Sequence, residues 1–172
     1  MDFLELAEKR YSVRKFADRP LEQAHLRQIL RAGHLAPTAC NRQPQRILVV
    51  DSEDGLKRLR MCTGSHFGAP AAMIVCCSKK ECWVREYDEK PSGEIDAGIV
   101  TTFMMLEAAS LGVGTTWVMH FIPEAVRCEF HLPEDVEPVA VLVMGYPAPD
   151  SEPSPMHTAR RPEEDLVRYN SF

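Results

Sequence analysis

The chain has 172 residues, 45% of them hydrophobic and 26% charged, the balance of an ordinary globular protein long enough to bury a substantial core. Its 20 Lys and Arg stand against 25 Asp and Glu, a formal net charge of −5, so no global basic field draws it to nucleic acid or to an anionic membrane surface. Against that acidic background, a local cluster of arginines points to a discrete anion site.

The N-terminal stretch Met1–Glu5 is acidic and lacks the charged-then-apolar order of a signal peptide, and no apolar run reaches the length of a membrane span. The six cysteines (Cys40, Cys62, Cys76, Cys77, Cys82, Cys128) show no CxxC spacing. Reduced thiols in a cytoplasmic protein are expected, with neither a disulfide framework nor a zinc site or other metal.

In chain order, Asp2 to Lys9 reads as a first helix, with Asp2 as N-cap and Phe3, Leu6 and Ala7 on one face. The basic stretch Arg10-Tyr11-Ser12-Val13-Arg14-Lys15-Phe16 follows. Leu21 to His34 is a second helix, with Gly33 near its end. Leu35 to Pro44 is irregular and bounded by Pro37 and Pro44. Arg46 to Asp51 is a buried strand, Asp54 to Cys62 is helical, and Ala71 to Ser78 is a second clear strand. Lys79 to Gly93, with Trp83 and Tyr87, is a polar excursion over the core. Glu94 to Leu111 is the longest helical pattern, apolar nearly all round and so buried here or in a partner subunit. Thr115 to Val118 begins an extended segment, Pro123 to Phe130 is a short helix, and Val139 to Gly145 is a third core strand. No repeat or linker divides the chain, and a single α+β domain is expected. No GxGxxG follows a strand, which disfavours a Rossmann dinucleotide fold.

Four stretches could carry chemistry. If Ser12 and Val13 are extended, Arg10, Ser12 and Arg14 point to one side and Tyr11, Val13 and Lys15 to the other. Two guanidiniums and a hydroxyl on one face suit a phosphate and a polyol chain. The same heptapeptide also reads as a solvated basic turn. In Ala36-Pro37-Thr38-Ala39-Cys40-Asn41-Arg42-Gln43-Pro44, two prolines rigidify a loop that presents the amides of Asn41 and Gln43, which suit a flat heterocycle such as a flavin or purine edge. Such a loop asparagine can equally serve its own turn. Gly112 and Gly114 either let the backbone approach a ligand or simply stop the helix. Arg160 and Arg161 could complete an anion site or lie solvated in a charged tail. The six histidines have no distinctive context and read as structural or surface residues.

Taken together, Arg10 to Phe16, the Ala36-Pro37-Thr38-Ala39-x-Asn41-x-Gln43-Pro44 loop, Leu106 to Trp117, Gly145-Tyr146-Pro147 and Arg160-Arg161-Pro162 occur in an order that resembles the nitroreductase family of FMN enzymes. The resemblance runs over nearly the whole chain. It implies a mainly antiparallel central sheet flanked by helices, in an intertwined homodimer with two FMN molecules at the interface. Residues 148–172 would be an extended tail wrapping the partner subunit. It further implies that Arg10, Tyr11, Ser12 and Arg14, joined by Arg160 or Arg161, hold the FMN phosphate and ribityl chain. Pro37, Thr38, Ala39, Asn41 and Gln43 would line the isoalloxazine of the FMN held mainly by the other subunit. Gly114, Thr115, Thr116 and Trp117 would pass near its pyrimidine side or N5.

The implied activity is a ping-pong oxidoreductase: NADH or NADPH reduces FMN and leaves, and a nitroaromatic, quinone or similar small-molecule acceptor takes its place. The cofactor carries the hydride chemistry, so no catalytic side chain is assigned. Two alternatives share the resemblance: another flavin reaction, such as reductive dehalogenation or flavin fragmentation, and a non-catalytic flavin-binding redox sensor. The chain departs from the family pattern at Gln45, where many members have Trp, and in the Trp83/Tyr87 excursion, which matches no motif.

Overall fold

A computed structural model describes residues 2–172. Four strands, Gln45–Val50 (β1), Ala71–Ser78 (β2), Gly114–Val118 (β3) and Val136–Gly145 (β4), form one antiparallel sheet in the order β1-β2-β4-β3. All eight residues of β2 are buried. Alternate residues of a strand face opposite ways. Ala71, Met73, Val75 and Cys77 accordingly enter one apolar cluster, while Ala72, Ile74 and Cys76 enter another. Both faces of the strand are covered, which is why its sequence is a continuous apolar run and not an alternation. Burial pushes the Cys76 thiol up to about 12 and that of Cys77 up to about 11.

Among the described residues, six α-helices accompany the sheet: Phe3–Lys9 (α1), Gln23–Leu35 (α2), Glu53–Cys62 (α3), Gly93–Ser110 (α4), Pro123–Glu129 (α5) and Glu163–Leu166 (α6). The first cluster is closed by Leu26 and Ile29 of α2 and by Ala97, Val100, Met104 and Ala108 of α4. The second is closed by Leu59 and Cys62 of α3 and Val126 of α5. The result is α+β with helices on both faces of the sheet.

Several boundaries depart from the sequence reading by one to three residues. β4 begins at Val136, not Val139, because its register against β2 shifts where Cys76 faces Pro138 and Val75 faces Ala140. A proline cannot donate to the ladder, and this one sits at the bulge. The second helix begins at Gln23; Leu21 is buried ahead of it. Gly33 lies near the end of α2, two residues before Leu35, as its sequence suggests. A Cβ there would come within 2.8 Å of Met104 Cγ, so the missing side chain is the notch that lets α2 pack on α4.

Asp2 caps α1 through a reciprocal capping box with Glu5. No residue of α1 is buried, and Phe3 is exposed. The face of α4 turned away from the sheet carries the exposed Ile95 and Phe103. The 79–92 excursion is irregular, with a single bridge between Val84 and Pro91 and with Tyr87 exposed. Among the described residues, no helix is long and apolar enough to cross a membrane.

Candidate functional site

The basic segment is laid along the edge of the sheet beside β3. Ser12 bridges Thr115 in parallel, the Val13 amide donates to the Thr115 carbonyl at 2.9 Å, and the Thr116 hydroxyl donates to the Val13 carbonyl at 2.6 Å. Val13 is 2% exposed and occupies the space a side chain on Gly114 would need. Further along, Phe16 bridges Pro147, and the Ala148 amide donates to the Lys15 carbonyl. Ser12 and Val13 are therefore held by their backbones, and the basic stretch is not a loose turn.

Arg10, Ser12 and Arg14 open into one cleft of about 260 Å³. Tyr11 lines it as well, contrary to strict alternation, because its hydroxyl reaches over to donate to the Ser151 carbonyl at 3.1 Å. Lys15, expected on the opposite side, instead pairs with Asp150 at 2.9 Å and lines with it an adjoining cleft shared with Ser12 and Arg14. That hydrogen bond and the opposite charge hold the Lys15 ammonium above its ordinary range and the Asp150 carboxyl below its own.

The far wall of the cleft comes from the tail: Ser154, Met156, His157 and Arg160. The Arg160 Nη1 donates to the carbonyls of His157 and Ala159 at 2.6 and 2.8 Å. Arg161 does not line the cleft. Arg14 lies over the Phe67 ring, 6.0 Å from its centroid, and its Nη1 donates to the Ser12 carbonyl at 3.3 Å. Among the described residues, none of Arg10, Arg14 and Arg160 is in an ion pair. Three guanidiniums converge with a serine hydroxyl and no carboxylate, a donor set that fits a phosphate.

The second stretch is held at the other end of α4. Thr38 to Gln43 contains three non-glycine residues with positive φ: Cys40 at 48°, Asn41 at 52° and Gln43 at 51°. Each such residue costs on the order of 1 kcal/mol or more, and persists only where its surroundings impose it. Here the restraint comes from Asp96, a residue the sequence reading missed. Its carboxylate, 1% exposed, accepts from the Ala39 amide at 2.8 Å and from the Ser92 hydroxyl at 2.7 Å. The Thr38 hydroxyl oxygen then accepts from the Gln43 amide at 3.0 Å, and the Gln43 side chain donates to the Asn41 carbonyl at 3.3 Å. The available signal was a lone carboxylate on a helix that is otherwise apolar on that side.

The third stretch changes its meaning. Gly112, at φ 73°, closes α4, with the Val113 amide donating to the Ala108 carbonyl. Gly114 leaves the space that Val13 fills. Thr115 and Thr116 are buried and hold the basic segment, while Trp117 is half-buried with its ring within 3.8 Å of a Cβ built on Gly98. This brings Arg10 to Arg14 to the C-terminal end of α4, whereas Asp96 fastens the Pro37–Gln43 loop near its N-terminal end. Asp96 and Leu111 are fifteen residues apart, about 22 Å at the rise of a helix. Within one chain the loop and the arginine cleft are therefore well separated.

No group of three or more His, Cys, Asp or Glu among the described residues could hold a metal ion, and all six cysteines are unpaired.

Comparison with known proteins was made against this geometry. A model of the nitroreductase family matches residues 7–66 and 60–146, a span that contains the basic segment, the Pro37–Gln43 loop, α4 and all four strands. The crystal structure of a nitroreductase family protein from Clostridium difficile 630 superposes with a TM-score of 0.95, at 40% identity and over 100% of both chains. A protein of Methanothermobacter thermautotrophicus, provisionally named NADH dehydrogenase/NAD(P)H nitroreductase, is 31% identical over 86% of this chain and 78% of its own. The FMN reductase [NAD(P)H] of Bacillus subtilis is 28% identical over 94% of this chain and 70% of its own. With a family model matching residues 7–146 and a family structure superposing over the whole chain at 40% identity, the chain belongs to the nitroreductase family.

Proposed function

We propose that this chain is an FMN-dependent NAD(P)H oxidoreductase that passes reducing equivalents to nitroaromatic, quinone or similar acceptors in a ping-pong cycle. The observation that carries the reading is the convergence of Arg10, Arg14 and Arg160 with Ser12 on one cleft without a carboxylate partner. The relatives named as FMN reductase and as NAD(P)H nitroreductase support the cofactor and the donor.

The three guanidiniums and the Ser12 hydroxyl bind the phosphate and the adjoining ribityl oxygens, with Tyr11 closing one side of the cleft. The amides of Asn41 and Gln43, on a loop stiffened by Pro37 and by the Ala39–Asp96 bond, meet the polar edge of the isoalloxazine. Gly114 to Trp117 run past the pyrimidine side or N5, and because the Thr116 hydroxyl is spent on Val13, this segment acts through its backbone and the Trp117 ring. When bound, FMN supplies the hydride chemistry, accepting from NADH or NADPH and delivering to the acceptor. The chain's own work is to bind, orient and exclude water, and no side chain is assigned as catalytic.

The separation of loop and cleft along α4 supports a homodimer in which the loop of one subunit lines the flavin held mainly by the other. The exposed Ile95 and Phe103 of α4, and the exposed Leu166, Tyr169 and Phe172 of the tail, are the apolar surface such a dimer would cover. The tail, residues 148–172, then wraps the second subunit as part of a single domain. Six unpaired cysteines suit a reducing cytoplasm.

An anaerobic absorption spectrum before and after adding NADH or NADPH tests the reading. Flavin bands that bleach with one nucleotide are expected. A protein that holds no flavin even after FMN is added would overturn it, and flavin that neither nucleotide bleaches would overturn the enzymatic part and favour a sensor. Light scattering tests the shared site separately: a folded monomer holding FMN tightly would sink it.

A further inference from the structure

His157 is the residue through which the two ends of the chain meet at the cleft. Its ring Nε2 lies 3.0 Å from the carbonyl oxygen of Glu8, in the last turn of α1 and two residues before Arg10. A carbonyl only accepts, so Nε2 carries the hydrogen of that bond. The carbonyl of His157 itself accepts from Arg160 Nη1 at 2.6 Å. One end of the residue is thus fastened beside Arg10 while the other grips Arg160. The ring also stands edge-on to Tyr11, with centroids 6.3 Å apart, and Tyr11 in turn holds Ser151. The segment 151–160 is tied down at two points, with a tight turn at Pro155–His157 between the second tie and Ser154.

The consequence lies in what Arg160 has left to offer. Both hydrogens of its Nη1 are taken by the carbonyls of His157 and Ala159. The Nε–H and Nη2 side of the fork remains, the edge that binds an anion in two parallel hydrogen bonds. A free arginine side chain loses much rotamer entropy when it is ordered by a ligand. One already held by two carbonyls has lost that freedom before the ligand arrives, and the difference returns as affinity.

We propose that His157 is a positioning residue for phosphate recognition: by docking the turn on Glu8 it aims Arg160 at the anion held by Arg10 and Arg14, and makes the site prefer a flavin carrying a phosphate monoester over the same flavin without one. The inference rests on the FMN reading and extends it to the source of the cofactor's selectivity.

Titrating the full chain with FMN and with riboflavin tests it, using quenching of flavin fluorescence. His157→Ala is expected to weaken FMN binding by about tenfold, the scale of one charged hydrogen bond, and to leave riboflavin binding unchanged. His157→Gln, whose amide N–H can reach the Glu8 carbonyl, should restore most of the loss. Arg160→Ala added to His157→Ala should cost little more, because the two act as one unit. FMN affinity unchanged by His157→Ala, or affinity for both flavins falling equally, would overturn the proposal while the FMN reading stands. A wild-type chain that binds neither flavin would overturn both.

Discussion

Val13 fills the place of the side chain that residue 114 lacks: a Cβ built on Gly114 would lie 2.5 Å from Val13 Cγ2 and 2.8 Å from its Cβ. Val13 cannot swing away, because its amide and its carbonyl are both bound to the Thr115–Thr116 pair. The contact therefore sets where Arg10, Ser12 and Arg14 stand relative to the sheet.

Gly114→Ala should accordingly disturb the basic segment as well as the core. Overpacking of this kind costs about 1–3 kcal/mol, and the loss should appear in chemical denaturation together with lower flavin occupancy. Gly33→Ala is the control. Its added methyl would come within 2.8 Å of Met104 Cγ in the core, an overpacking of the same kind but away from the basic segment, so a loss of stability with flavin occupancy kept is expected. Equal losses of flavin occupancy in the two variants would mean that the Val13–Gly114 contact has no special part.

Arg10 and Arg14 reach the same cleft from two positions of one extended segment. Replacing both with Ala should release FMN, since each charged hydrogen bond to phosphate contributes about 1.5–3 kcal/mol. The check is the flavin-to-protein absorbance ratio after gel filtration. An unchanged ratio would place the phosphate elsewhere.

Asp96→Ala leaves the Ala39 amide without an acceptor and removes the restraint on three positive-φ residues. A loss of about 1–3 kcal/mol is expected, with Asp96→Asn milder because its amide oxygen can still accept. Hydrogen exchange at the Ala39 amide reads the event locally. Protection there as strong as in the wild type would show that Asp96 is not the anchor.

The cysteines should separate by reactivity. Burial raises Cys76 to about 12 and Cys77 to about 11, so both remain thiols at pH 8–9 in the folded state, and a thiol is a poor nucleophile. The exposed Cys40 and Cys128 should take up iodoacetamide first, and Cys76 and Cys77 only after unfolding returns them to the ordinary range. Mass spectrometry of labelled peptides checks this. Rapid labelling of Cys76 in the native protein would contradict its place in the central strand.

Much of the fold was legible in the sequence because its signals are local. Seven consecutive apolar residues from Ala71 to Cys77 can only be buried, and the eighteen residues of α4, apolar nearly all round, are too long for a strand and mark a buried helix. That Arg10, Ser12 and Arg14 share a cleft followed from an extended backbone, but Tyr11 and Lys15 did not keep to the opposite face. What the tertiary structure decided involves partners far apart in the chain: Ala39 with Asp96, Val13 with Gly114, Glu8 with His157, and the choice of Arg160 over Arg161 to meet Arg10 and Arg14. A glycine reads identically whether it ends a helix, receives a methionine or makes room for a valine. Local periodicity states which residues leave water. Which residue fills the space beside them is settled only when the chain closes on itself, since packing tolerates little void and a buried donor requires its acceptor.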